Sequence, residues 1–134
     1  GLLYIFISEM IENAVPHRAL LSNADLQDVY IRKALEFIKT NYSRHINIKM
    51  IADSLGLSRS YLAVLFKKRL KIGPQDYLIH FRVERACDFL RNPLLSIGDV
   101  ARSVGYDDPL AFSKMFKKVK GLSPSEFRKY HIQT

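Results

Sequence analysis

"IADSLGLSRSYLAVLFKK", Ile51 to Lys68, is echoed further along the chain by "VARSVGYDDPLAFSKMFKK", Val100 to Lys118. A shift of 49 superimposes Ile48 on Ile97, Ile51 on Val100, Ala52 on Ala101, Ser54 on Ser103, Leu55 on Val104 and Gly56 on Gly105. One residue is then inserted. A shift of 50 pairs Leu62 with Phe112, Leu65 with Met115, Phe66 with Phe116, Lys67 and Lys68 with Lys117 and Lys118, Pro74 with Pro124, and Tyr77 with Phe127. Like residues at this density mark an internal repeat, so one supersecondary unit is built twice.

Each unit reads as a short helix, a tight turn and a longer helix. Ile48, Ile51, Ala52 and Leu55 fall at i, i+3, i+4 and i+7, the stripe of a helix with one buried face. The alanine in each stripe leaves room where two helices cross. Gly56 suits the left-handed residue that closes a helix, and Ser58 is placed to cap the next one, which buries Leu62, Leu65 and Phe66. In the second unit Ser96 and Asp99 form a capping box, Gly105 ends the short helix, and Asp108-Pro109 is an N-cap followed by a proline at the first helical position. Two helices joined by a short glycine-containing turn make a helix-turn-helix.

Between the units, Gly73-Pro74 opens a helix running to about Leu90, with Leu78, Ile79, Phe81, Val83, Ala86, Phe89 and Leu90 apolar nearly all round, so it is expected to be buried on both sides. At 1.5 Å per residue such a helix spans about 26 Å, against a major-groove repeat of about 34 Å. Upstream, apolar residues from Leu26 to Tyr42 recur at helical spacing, and "PHRALLSNAD" carries the small polar residues of a linker. The chain opens with "GLLYIFISEMIENAV", whose Leu2, Leu3, Phe6, Met10 and Ile11 form another helical stripe. That stripe fits either the end of a preceding domain's helix or a small helix docked on the rest.

Charge points to the partner. The net charge is +8 and the pI about 9.7. Residues 1–24 hold Glu9, Glu12 and Arg18, a net −1, so the rest carries about +9. A field of that sign, concentrated in stretches such as "FKKRLK" and "SKMFKKVK", favours phosphate-bearing partners. With the core stripes turned inward, the second helix of the first unit presents Ser60, Ala63, Val64 and Lys67. That of the second presents Leu110, Ala111, Lys114, Lys117 and Lys118. Small, apolar and basic residues on one outward face suit a major groove, where apolar atoms meet thymine methyls and Lys or Arg meets guanine or phosphate. The rival reading is a protein-interaction module whose basic face meets an acidic partner.

Other chemistries find little footing. The single cysteine, Cys87, is incompatible with a disulfide framework and reads as a small buried residue. His17, His45, His80 and His131 stand apart without metal-ligand spacing, and neither a nucleophile elbow nor a phosphate-cradling glycine loop occurs. No enzymatic activity, cofactor or metal is expected. There is no basic-then-apolar leader and no apolar run long enough for a membrane span, so the expectation is a cytoplasmic protein with no membrane partner.

From about Leu26 to Tyr130 the chain resembles the DNA-binding domain of the AraC/XylS family of bacterial transcription regulators. Ala101, Gly105, Tyr106, Phe112, Phe116, Lys117, Gly121, Pro124 and Arg128 fall where that family has them. The resemblance implies an all-α fold of about seven helices, preceded here by a short N-terminal helix. Its helix-turn-helix subdomains lie at about 48–70 and 97–119, joined by a connecting helix at about 74–91, all within a DNA-binding domain at 25–134. It implies that 1–24 is the tail and linker of an effector or dimerisation domain, and that the fragment is monomeric while the whole protein is dimeric. It also implies that double-stranded promoter DNA and RNA polymerase are the partners, and that the regulator is an activator, of carbohydrate or stress genes. Carried over by position, the base-reading residues are Ser60, Ala63 and Val64, then Pro109, Leu110, Ala111 and Lys114. Arg59, Lys67, Lys68, Lys117 and Lys118 are expected to contact phosphates, the lysines because they recur at equivalent places in both units. Two departures stand out. Ala63 and Val64 replace the long polar reader common in the family, and Lys71 stands where the second unit has Gly121.

Overall fold

Small polar residues decide where the helices begin. In the computed structural model, which describes residues 22–132, seven helices and no strands are found among the described residues. The stripe at Leu2–Ile11 and most of the linker lie outside them. The first helix, α1, runs Asn23–Asn41. It starts inside the stretch expected to be a linker, because Ser22 is a cap: its Oγ accepts from the Asp25 N–H at 3.1 Å, and its own N–H donates to Asp25 Oδ2 at 3.4 Å. The residues that make linkers also make N-caps.

The first motif comprises α2 (Ile48–Leu55) and α3 (Arg59–Leu70). Asn47 caps α2 by accepting from Met50 N–H at 2.8 Å, and Ser58 caps α3 by accepting from Tyr61 N–H at 3.1 Å. Gly56 ends α2 at φ 71° with its N–H turned back to Asp53. Lys71 ends α3 in the same left-handed conformation, φ 67°, so the glycine's absence has not altered the turn. A non-glycine residue there costs about 1–2 kcal/mol.

The connecting helix α4 is Pro74–Leu90, 17 residues, or about 26 Å. The second motif comprises α5 (Ile97–Ser103) and α6 (Pro109–Lys120), and α7 (Pro124–Ile132) follows. The expected capping box is present, with Ser96 Oγ accepting from Asp99 N–H and Asp99 Oδ2 accepting from Ser96 N–H. Asp108 accepts from Leu110 N–H at 3.0 Å. Ser123 and Glu126 form a further box at the start of α7.

Two interiors result. In the first lobe Ala34, Ile38, Ile46, Ile51, Ala52, Leu62, Leu65, Phe66 and Leu78 are buried. In the second, Val83, Ala86, Cys87 and Leu90 of α4 join Val100, Ala101, Val104, Phe112, Phe116 and Phe127. Burial pushes the Cys87 thiol up to about 11, as befits a small core residue. The expectation that α4 is covered on both sides needs correction: His80, Glu84, Arg85 and Asp88 are exposed and Phe81 and Phe89 are half-buried. The Phe81 ring is shielded instead by Tyr42 at 5.2 Å, Tyr77 at 6.3 Å and the Arg85 guanidinium at 5.6 Å.

Arg82 is the buried charged residue of the core. Its Nε donates to Tyr42 O at 2.9 Å and its Nη2 to Arg44 O at 2.8 Å. Arg128 of α7 repeats the device, with Nε donating to Leu90 O at 2.9 Å and Nη2 to Asn92 O at 3.2 Å. Each arginine fork thus holds two carbonyls, two residues apart, where the chain leaves one helix and leads into a helix-turn-helix. Carbonyls at a helix C-terminus lack intrahelical partners and carry partial negative charge, which suits a guanidinium.

Candidate nucleic-acid interface

α3 and α6 are alike in construction. Each buries one stripe, Leu62, Leu65 and Phe66 on α3 and Phe112 and Phe116 on α6. Opposite those stripes α3 exposes Ser60, Val64 and Lys67, with Val64 59% accessible. Arg59 and Lys68 are exposed beside them, while Ala63 is half-buried, turned further toward the protein than periodicity predicts. α6 exposes Pro109, Leu110, Ala111, Lys114, Lys117 and Lys118, with Leu110 74% accessible. All the residues expected at the interface therefore lie on outward faces except Ala63, which sits at the edge.

Tyr61, 40% exposed, was not among the expected contacts. It lies one turn before Val64 on the same side of α3, and that i, i+3 spacing was a signal available in the sequence.

The electrostatics of the two helices are one-sided. α3 contains Arg59, Lys67, Lys68 and Arg69, and α6 contains Lys114, Lys117, Lys118 and Lys120; neither contains Asp or Glu. They thus hold 8 of the chain's 21 Lys and Arg and none of its 13 acids, whereas an ordinary solvated surface mixes signs. Basic residues in a helix's last turn also favour its dipole, but that reason does not reach Arg59 or Lys114. Lys120 differs from its neighbours: it is half-buried and tied to Glu84 of α4, whose hydrogen bond holds the ammonium above its ordinary pKa. His80 lines a cleft between α4 and the flank of α6 with Asp76 and Lys118. Among the described residues no cluster of His, Cys, Asp and Glu is placed to hold a metal, and no helix is long and apolar enough to cross a membrane.

Two capped helix-turn-helix units on one connecting helix, each showing an acid-free outer face, define a double helix-turn-helix DNA-binding domain. The helix-turn-helix domain family matches residues 51–130, and the chain belongs to it, in its AraC/XylS-type form. Over 104 residues it is 42% identical to the lactose operon transcription activator of Staphylococcus xylosus, an alignment covering 78% of this chain and 37% of the relative. Over 129 residues it is 37% identical to the Msm operon regulatory protein of Streptococcus mutans, covering 96% of this chain and 46% of that protein. The chain thus spans less than half the length of these curated relatives. Among solved structures, the C-terminal domain of AraT, a response regulator from Geobacillus stearothermophilus, superimposes with a TM-score of 0.73 at 32% identity. That match covers 75% of this chain and 84% of that one.

Proposed function

We propose that this domain reads promoter DNA with both units, α3 and α6 entering successive major grooves on one face of the duplex. The observation that carries the reading is the pair of exposed, acid-free helix faces at equivalent places of a repeated scaffold. A connecting helix of about 26 Å suits a groove repeat of about 34 Å. In this reading Ser60, Ala63 and Val64 offer mainly apolar contacts to bases, joined by Tyr61. Pro109, Leu110, Ala111 and Lys114 form the second reading surface, with Lys114 its charged reader. Arg59, Lys67, Lys68, Lys117 and Lys118 meet phosphates.

For the whole protein we propose a cytoplasmic activator of a sugar-utilisation operon, acting with RNA polymerase. The setting is suggested by relatives named as lactose and raffinose operon regulators. Residues 1–24 would belong to the link with an effector or dimerisation domain, and the 134-residue chain alone would bind as a monomer.

Selection of bound duplexes from a random pool tests the proposal. The expected product is a motif of two blocks centred about one helical turn apart. A single block would leave only one unit reading DNA. Absence of duplex affinity even at low salt would favour an acidic protein as the partner.

A further inference from the structure

We propose that Arg82 is a positioning residue for DNA reading: by fixing the loop 42–46 against the turn of the second motif, it sets α6 in register with α3. The inference rests on the reading that both helices enter DNA.

The fork of Arg82 is committed to two backbone carbonyls, Tyr42 O at 2.9 Å and Arg44 O at 2.8 Å, both in the loop that leads into the first motif. The planar guanidinium orients both bonds at once, which a lysine cannot do. Its Cζ lies over the Tyr106 ring, 5.6 Å from the ring centre, in the turn of the second motif. That ring packs at 5.7 Å on Phe112, the fully buried anchor at the start of α6.

Gly105 shows how closely the parts meet. It has φ +98°, and a Cβ placed on it would lie 2.6 Å from Tyr42 O and 3.0 Å from Arg82 Nη2. The carbonyl that Arg82 holds is the one on which the second turn rests. His45 Nε2 and Asp107 Oδ2, 3.2 Å apart, add an exposed link between the same loop and the residue before the α6 cap. Arg128 offers an internal comparison. It makes the same pair of bonds, but to Leu90 and Asn92, where α4 enters the second lobe, whereas Arg82 spans the two motifs.

A residue that only stabilised the fold would, when replaced, weaken both reading helices alike. A residue that sets one helix against the other should damage one block of the motif. The experiment is duplex selection from a random pool with the wild-type chain and with Arg82→Lys, helicity being followed by circular dichroism. The expected result is an intact block for α3, a block for α6 whose base discrimination falls about tenfold, the scale of one lost base contact, and a looser spacing between blocks.

Two intact blocks, or two equally weakened ones, would overturn the positioning role. If Arg82→Lys does not fold, Tyr106→Leu is decisive in its place. It keeps an apolar side chain beside Phe112 and removes the ring over which the guanidinium lies, so the same one-sided loss supports the role and its absence overturns it. A wild-type chain that selects no two-block motif would instead remove the reading of both helices on which the inference stands.

Discussion

Lys71 and Gly105 both have positive φ, yet they differ in what they tolerate. Lys71, at φ 67°, is exposed, and Gly121, fifty residues on, has φ 82° with open space around it. Lys71→Gly removes left-handed strain of about 1–2 kcal/mol and adds unfolded-state entropy worth about 0.4–1 kcal/mol. A net gain of about 0.5 kcal/mol is expected, seen as a higher urea midpoint with unchanged slope. Gly56→Ala, at φ 71° with nothing within 4 Å of the added carbon, should cost about 1 kcal/mol. Gly105→Ala should cost more than about 2 kcal/mol, because the strain of φ +98° is joined by contact with an immovable backbone oxygen at 2.6 Å. If Gly105→Ala proved as mild as Gly56→Ala, the close approach of loop 42–46 would have to be wrong.

Helix ends are where the chain writes its structure most openly, and they carry a pH dependence. Hydrogen bonds from Ser96, and then from Arg102, hold the Asp99 carboxyl below its ordinary value; those from Ser123 do the same for Glu126. Carboxyls depressed in the folded state stabilise it fully above their unfolded values and lose that contribution as the pH falls through the folded ones. The start of α5 and of α7 should therefore loosen below about pH 4, and Ser96→Ala should cost about 1 kcal/mol at neutral pH while flattening the acid limb of a denaturation series. Within α6, Lys114→Ala is expected to cost about 1–3 kcal/mol on the selected duplex and to relax preference at one position. An equal loss on all duplexes would make Lys114 a phosphate contact. Caps, stripes and turn glycines were legible because each signal lies within four residues of what it controls. The carbonyl-holding roles of Arg82 and Arg128 were not. Their carbonyl partners lie 36 to 40 residues away, and the arginines stand 46 apart while the repeat runs at 49 and 50, so aligning the units does not pair them. The half-burial of Ala63 and the open side of α4 escaped for a related reason: periodicity gives a face's direction, while its width depends on neighbours brought from elsewhere in the chain.

Across the whole molecule, duplication lets one scaffold place basic residues at two equivalent stations. Lys67 and Lys68 close α3 as Lys117 and Lys118 close α6, all exposed, whereas Lys120 is engaged by Glu84 and so offers a matched control. Each phosphate neutralised releases counterions and steepens the dependence of log affinity on log salt by about 0.9. Lys67→Ala and Lys117→Ala should each flatten that slope by about 0.9, and the double variant by about 1.8, since sites on different lobes add when they share no partner. Lys120→Ala should leave the slope nearly unchanged and lower stability instead, because it strips Glu84 of its partner rather than DNA of a contact. The measurement is duplex affinity between about 50 and 200 mM salt, with the thermal midpoint recorded for each variant. Flattening by Lys67→Ala alone would mean that the first lobe engages the backbone while the second does not. An unchanged slope in the double variant would place these lysines in solvent and leave the repeated basic ends of α3 and α6 to helix-dipole stabilisation alone.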